Sequence, residues 1–252
     1  MRRIAVMNQK GGVGKTTSTI NIAHALALAG HNVLAIDLDP QGQLGAGLGV
    51  AANGHGGMDE VLISKTPLYQ VIHAARERLQ VAPAGPRLTE FEFVGEGGAQ
   101  RGFRLTEAFK ADLGNEEFIL IDAPPSGGLL AMNALLAVDE VLVPVTGEYL
   151  ALLGVARFMR ILRHIDESLG RETRLWIALT RFNEKRRLAR EVREKLIEYF
   201  PGRILATPVR EAAALAECPG TGKSIFEYQR RGKAAEDYQA LADDLLNART
   251  LR

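Results

Sequence analysis

The stretch Gln9-Lys10-Gly11-Gly12-Val13-Gly14-Lys15-Thr16-Thr17, "QKGGVGKTT", decides how this chain folds. A short apolar run, Ile4–Met7, precedes it, and Lys15–Ala29 follows as a helix closed by Gly30. The strict pattern G-x-x-x-x-G-K-[ST] fails, because Gln9 stands where its first glycine belongs. The strand–glycine loop–helix context keeps the chemistry: glycines let backbone N–H groups turn toward phosphate oxygens, and the helix N-terminus adds its positive dipole end. Lys15 is placed to reach the β- and γ-phosphates, and the Thr16 hydroxyl to ligate Mg²⁺. One residue is left over. An ordinary phosphate loop needs a single lysine, and here Lys10 stands at its front as a second.

Outward from the loop, short apolar runs alternate with longer amphipathic ones. Val33–Ile36, Phe118–Ile121, Glu140–Val145, Leu175–Leu179 and Arg203–Ala206 read as further strands. Most lack polar alternation, as strands buried on both faces do. Gly128–Ala137, Leu150–Ser168, Leu188–Tyr199 and Ala234–Leu246 read as helices. This alternation predicts an α/β fold, a phosphate-loop NTPase with a doubly wound, mostly parallel sheet flanked by helices. The glycine-rich segments 42–60 and 94–102 read as loops ordered by ligand or partner. With no internal repeat and no linker, residues 1–252 read as one domain.

Net charge is +1 and composition is ordinary, so nothing pulls the whole chain toward nucleic acid or membrane. Any such partner must meet a local patch. The one cysteine, Cys218, allows no internal disulfide and no cysteine-rich metal site, which fits a reducing cytoplasm. The N-terminal apolar run is too short for a signal peptide, and no stretch is long enough to span a bilayer. The five histidines lack metal-like spacing, and Trp176 reads as core.

Two acidic residues, Asp37 and Asp39, close the second strand, and Asp122 closes "FILID". In a parallel sheet these carboxyl ends lie beside the phosphate site. Asp122 suits holding Mg²⁺, directly or through water. Asp37 reads on its own as a strand-end cap.

"KGGVGKTT" resembles the deviant phosphate loop of the ParA/MinD ATPases. The resemblance extends through "DLDPQG" (37–42), "ILIDAPPS" (119–126), "NALLAVDEVLVPV" (133–145), "LAECPGTGKSIFEY" (215–228) and "AEDYQALADDLL" (235–246). It implies an ATPase using ATP and Mg²⁺, with nucleotide held by Lys10, Gly11, Gly12, Val13, Gly14, Lys15, Thr16 and Thr17. It implies that Lys10 contacts phosphate across the interface of an ATP-bound homodimer. Two facing triphosphates repel, and a cation lent by each subunit offsets that charge. Asp39 aligns with the residue that orients the attacking water, Asp37 and Asp122 with the metal region, and Ala123–Ser126 with a switch sensing the γ-phosphate. The loops 180–183 and 207–210 are expected at the adenine, with Asn183, Pro208 and Arg210 as contacts; Asn183 reads equally as a turn former.

Residues 181–195, "RFNEKRRLAREVREK", hold seven basic residues against three acidic ones. On a helix Arg186, Arg190 and Arg193 form a stripe beside the apolar face. Lys223, Arg230, Arg231 and Lys233 follow later. A solvated face with pairs such as Glu191–Lys195 is the plain reading. The resemblance favours nonspecific binding of double-stranded DNA, through Arg186, Arg190, Arg193, Lys223 and Arg230, by a dimer that doubles a weak patch. It further implies a ParB-like partner that stimulates slow hydrolysis, and a cytoplasmic, nucleoid-associated protein that positions a plasmid or chromosome. Some relatives position a protein cargo instead, such as chemoreceptor clusters or carboxysomes.

Three other readings fit less well. A MinD-like membrane ATPase needs an amphipathic C-terminal anchor, and "ADDLLNARTLR" carries two aspartates and no bulky aromatic face. A nitrogenase iron-protein relative needs paired cysteines. A sequence-specific repressor of this family carries an N-terminal helix-turn-helix, whereas here the phosphate loop begins at once. Tyr149 in "GEYLAL" is expected to pack near the dimer interface.

Overall fold

The computed structural model describes residues 1–50, 56–93 and 98–251. Residues 51–55 of the first glycine-rich segment, His55 among them, and 94–97 of the second lie outside them. The described strands are β1 (Arg2–Val6), β2 (Val33–Asp37), β3 (His73–Arg76), β4 (Leu79–Ala82), β5 (Phe118–Asp122), β6 (Glu140–Thr146) and β7 (Arg174–Thr180). They form one sheet in the order β3-β4-β2-β5-β1-β6-β7. Every pairing is parallel except β3 with β4. The expected doubly wound, mostly parallel sheet is therefore what the chain forms. β1 sits between β5 and β6, so the loop that follows it emerges where the strand order reverses, the place such sheets bind ligands.

In chain order the described α-helices are α1 (Lys15–Leu28), α2 (Gln43–Gly47), α3 (Glu90–Phe93), α4 (Arg104–Asp112), α5 (Leu129–Leu136), α6 (Tyr149–Leu169), α7 (Arg187–Tyr199), α8 (Ala213–Glu217), α9 (Ile225–Tyr228) and α10 (Lys233–Asn247). They cover the sheet in two layers. Ile20, Leu26, Leu44, Ile225 and Leu241 pack with Ile4, Val6 and Leu120 on one face. Phe91, Leu105, Leu130, Val155 and Leu196 pack with Ala5, Ile36 and Ile121 on the other. Successive residues of β1 and β5 thus enter opposite cores, which is why their sequences are apolar without interruption.

Two expectations are corrected, and one element is new. Arg203–Ala206 is no strand; it makes only isolated bridges, Ile177 with Ile204 and Leu205 with Thr250. Pro201–Gly202 before it and Pro208 after it leave too little extended chain for a ladder. The β3–β4 hairpin was not expected. Its turn places Arg78 at φ 57°, a left-handed position usually signalled by glycine or asparagine, and a bulge breaks its register. Within the segment 42–60, Gln43–Gly47 is helix rather than loop.

Candidate nucleotide site

The loop after β1 is stapled to its neighbours. Asn8 donates through Nδ2 to the Pro144 carbonyl (2.7 Å) and accepts at Oδ1 from the Lys10 amide (2.9 Å). Thr180 Oγ1 donates to the Val13 carbonyl (2.8 Å), tying the loop to the end of β7. Gly12 and Gly14 take φ of 74° and 86°, which side chains resist. A Cβ built at Gly11, Gly12 or Gly14 meets nothing within 4 Å, so the space inside the loop is open. Gly14 caps α1 with no side chain accepting from the helix's first amides. Those amides, the open cradle and Lys15 make a ready phosphate site.

Behind the loop lie two buried carboxylates. Asp37 and Asp122 are register partners on β2 and β5, each with no exposed surface. Thr16 Oγ1 donates to Asp122 Oδ2 at 2.6 Å, and Thr19 Oγ1 to Oδ1 at 3.4 Å. Burial pushes the Asp122 carboxyl up to about 7, against the opposing pull of these hydrogen bonds, and pushes that of Asp37 well above its ordinary value. Burial likewise lowers Lys15, and the charges of Asp122 and Asp39 oppose it. A hard divalent cation suits this place: the donors are hydroxyl and carboxylate oxygens, and a cation would favour the ionised carboxylate that burial penalises. Thr16 and Asp122 present them together.

Asp37 differs. Its Oδ1 accepts from the Asp39 amide (3.1 Å) and its Oδ2 from the Leu44 amide (3.0 Å). These two bonds make it a strand-end cap that binds the 37–44 turn to the sheet, whether or not it also neighbours a metal. Asp39 is partly exposed, its Oδ1 accepting from the Gln41 amide at 3.0 Å, and its charge is felt by both Lys15 and Asp122. Lys10 lies at the rim, ion-paired with Glu148 of its own chain. In the single subunit it therefore neither reaches its own loop interior nor stands free.

A cavity of about 500 Å³ opens beside the loop, lined by Gly12, Gly14, Thr17, Thr180, Arg181 and Tyr238 among others. Asn183 and Pro208 line an adjoining one of about 620 Å³. Arg210 borders both, held by Asp237 through hydrogen bonds of 2.8 and 2.6 Å. The three residues expected at the base thus line one cavity, one step farther from the phosphate loop. Thr180 and Arg181, from the loop 180–183 expected at the adenine, line the cavity nearer the phosphate loop. Tyr238 carried no signal: its hydroxyl meets Ser18 Oγ at 3.2 Å only because α10 packs on α1.

The basic residues do not form one patch within a subunit. Arg186 caps α7 and Arg190 and Arg193 lie on it in one helical layer, whereas Lys223 and Arg230 flank α9 in the other. Arg186, Lys223 and Arg230 are exposed, with no carboxylate partner among the described residues. Arg190 donates to the Glu184 carbonyl. Arg193 is drawn inward over the Phe182 ring (5.5 Å), 3.8 Å from Glu184, so the expected stripe is uneven. Tyr149 is 57% exposed in the single subunit, with Lys195 Nζ 5.7 Å from its ring centre. Trp176 is core, as expected, and donates to Glu140. No helix among the described residues is long and apolar enough to cross a membrane.

Comparison with known proteins agrees with this geometry. The family model described as an AAA domain matches residues 1–175. The chain is 39% identical to the chromosome partitioning protein ParA of Myxococcus xanthus, covering 99% of this chain and 89% of that protein. It is 37% identical to the chromosome-partitioning ATPase Soj of Thermus thermophilus, covering 98% and 96%. A solved structure of cobyrinic acid a,c-diamide synthase from Mycobacterium smegmatis, with bound ATP analog and magnesium, superposes with a TM-score of 0.84 at 30% identity, covering 98% and 95%.

Proposed function

Because this chain belongs to the ParA/Soj family of partitioning ATPases, we propose that it is an ATP-driven positioning protein whose MgATP-bound form pairs face to face and coats DNA. The observation that carries this reading is the pair of lysines on one loop. Lys15 is buried beside Asp122 and Asp39, while Lys10 stands at the rim on a releasable partner.

In this reading the triphosphate lies along the amides of Gly11–Thr17, and the nucleoside extends toward Arg210, Pro208 and Asn183. Mg²⁺ is held by Thr16 and Asp122 and supplies neutralising charge on the phosphates. Lys15 stays beside its own triphosphate. Lys10 leaves Glu148 and offsets the charge of the facing subunit's nucleotide, so ATP and not ADP closes the dimer. Asp39 orients the water. Little base strength is needed, because phosphoryl transfer depends on positioning and charge. Turnover is slow until a ParB-like partner engages the dimer. The closed dimer presents two copies of each basic cluster, which favours nonspecific, salt-sensitive attachment to duplex DNA and a place on the nucleoid. Hydrolysis then releases the DNA.

The test compares two variants by sizing chromatography and DNA gel shift, with ATP and with ADP. Lys15→Ala is expected to lose nucleotide binding, pairing and DNA binding together. Asp39→Ala is expected to keep ATP and remain a DNA-bound dimer. Wild-type hydrolysis by Asp39→Ala would remove that residue from the water-orienting role; a wild-type chain that stays single with a non-hydrolysable triphosphate would end the reading.

A further inference from the structure

α9, which carries its own Ser224–Glu227 capping box, is also fastened to α1 at its start. Its first amide, Ile225 N–H, is one that a helix cannot satisfy internally. It donates instead to Asn21 Oδ1 on α1, at 2.8 Å. The other end of the same side chain, Nδ2, donates to the Thr17 carbonyl at 2.8 Å. Thr17 belongs to the phosphate loop's first helical turn and lines the nucleotide cavity. Asn21 is 1% exposed, so both bonds are made in a dry interior, where an unpaired amide is costly. One turn on, His24 Nδ1 meets the Oγ of Ser224, the N-cap of α9, at 2.6 Å.

α9 leads directly into Gln229-Arg230-Arg231-Gly232-Lys233. Neither arginine has a carboxylate partner among the described residues, and Arg230 lines an open groove of about 790 Å³ together with His24 and Phe226. α1 is a continuous helix from the loop to Leu28, so a shift of its first turn is carried to Asn21 and His24. An asparagine is a poor choice for a buried helical position on propensity alone. Here its two ends join the phosphate loop's helix to the amide that begins the basic segment.

We propose that Asn21 is a positioning residue that couples nucleotide in the phosphate loop to the placement of Arg230 and Arg231. This inference rests on the reading that the basic segment engages DNA in the ATP state, and it names the route by which the loop governs it.

Asn21→Ala is the first test, read by ATP affinity and by DNA anisotropy with ATP and with ADP. The expected result is ATP affinity within about twofold of wild type and a fall of about tenfold or more in the ratio of the two DNA affinities. A purely structural role would instead weaken ATP binding and stability and leave that ratio alone. A ratio equal to wild type overturns the coupling. The second test needs no variant. In the unaltered protein, hydrogen exchange over 225–231 is expected to slow when a non-hydrolysable ATP analogue binds, and unchanged exchange overturns the proposal even if Asn21→Ala fails to fold. A wild type that never binds DNA would sink the DNA reading alone, since the exchange measurement still tests the coupling.

Discussion

Lys10 and Glu148 are ion-paired within one subunit, joining the front of the phosphate loop to the residue before α6. The hydrogen bond from Lys10 holds the Glu148 carboxyl below its ordinary range. Both side chains are about half exposed, so the pair is worth about 1 kcal/mol at most. A clasp of that strength opens readily.

Glu148→Gln should therefore ease pairing. The ATP concentration that dimerises half the protein is expected to fall by up to about fivefold, the equivalent of a surface ion pair. Analytical ultracentrifugation across an ATP titration reads this directly. A higher midpoint in the variant would mean that Glu148 contributes to the closed dimer rather than restraining it.

Asp37 offers a separation of roles by substitution. Asp37→Ala strands two buried amides, those of Asp39 and Leu44, and is expected to cost about 2–4 kcal/mol in urea unfolding. Asp37→Asn keeps one acceptor and should cost less, with Mg²⁺-dependent nucleotide affinity unchanged. A loss of Mg²⁺ dependence in Asp37→Asn would return this residue to the metal.

The sheet and its phosphate loop were legible in the sequence because both follow from local pattern. β1, β2, β5, β6 and β7 are apolar runs, and Gly12 and Gly14 announce their left-handed backbone. Tertiary context decided what was missed. Arg78 takes a left-handed turn without glycine, so β3 and β4 left no punctuation. Asp37 and Asp39 look alike in "DLDPQG", yet only burial beside Asp122 and the return of Leu44 distinguish cap from rim carboxylate. Tyr238 and Asn21 gain their places from α10 and α9 packing on α1, contacts more than 200 positions apart in the chain.

Thr16 stands between loop and carboxylate. Thr16→Ala removes the 2.6 Å hydrogen bond to Asp122 and an oxygen donor for the cation. It is expected to weaken MgATP by about tenfold or more, while affinity for ATP measured in EDTA changes little. Thr16→Ser keeps the hydroxyl and should retain most of the Mg²⁺ effect. Isothermal titration with and without Mg²⁺ separates the two; equal losses in both conditions would place Thr16 in packing only.

Glu140 supplies the pH test, away from the nucleotide. Its carboxylate is 9% exposed and receives Arg2 Nε and Nη2 at 2.6 and 2.7 Å and Trp176 Nε1 at 2.6 Å. Burial alone would raise its pKa; the Arg2 and Trp176 hydrogen bonds prevail and lower it. Arg2 also donates to the Leu245 carbonyl, so the cluster fastens β1, β6 and β7 to the end of α10. A carboxyl with a depressed folded pKa binds fewer protons folded than unfolded. Its stabilisation is complete above the unfolded value, about 4.3, and is lost as pH falls through the lower folded one. At neutral pH wild type should exceed Glu140→Gln by about 1.5–3 kcal/mol, the range for hydrogen bonds to a charged group. That gap should hold to about pH 5 and close progressively below about pH 4. Paired melts of the two proteins from neutral to acid pH check this. A gap that stays constant through the acid range would mean that the fork contributes through shape and not through charge.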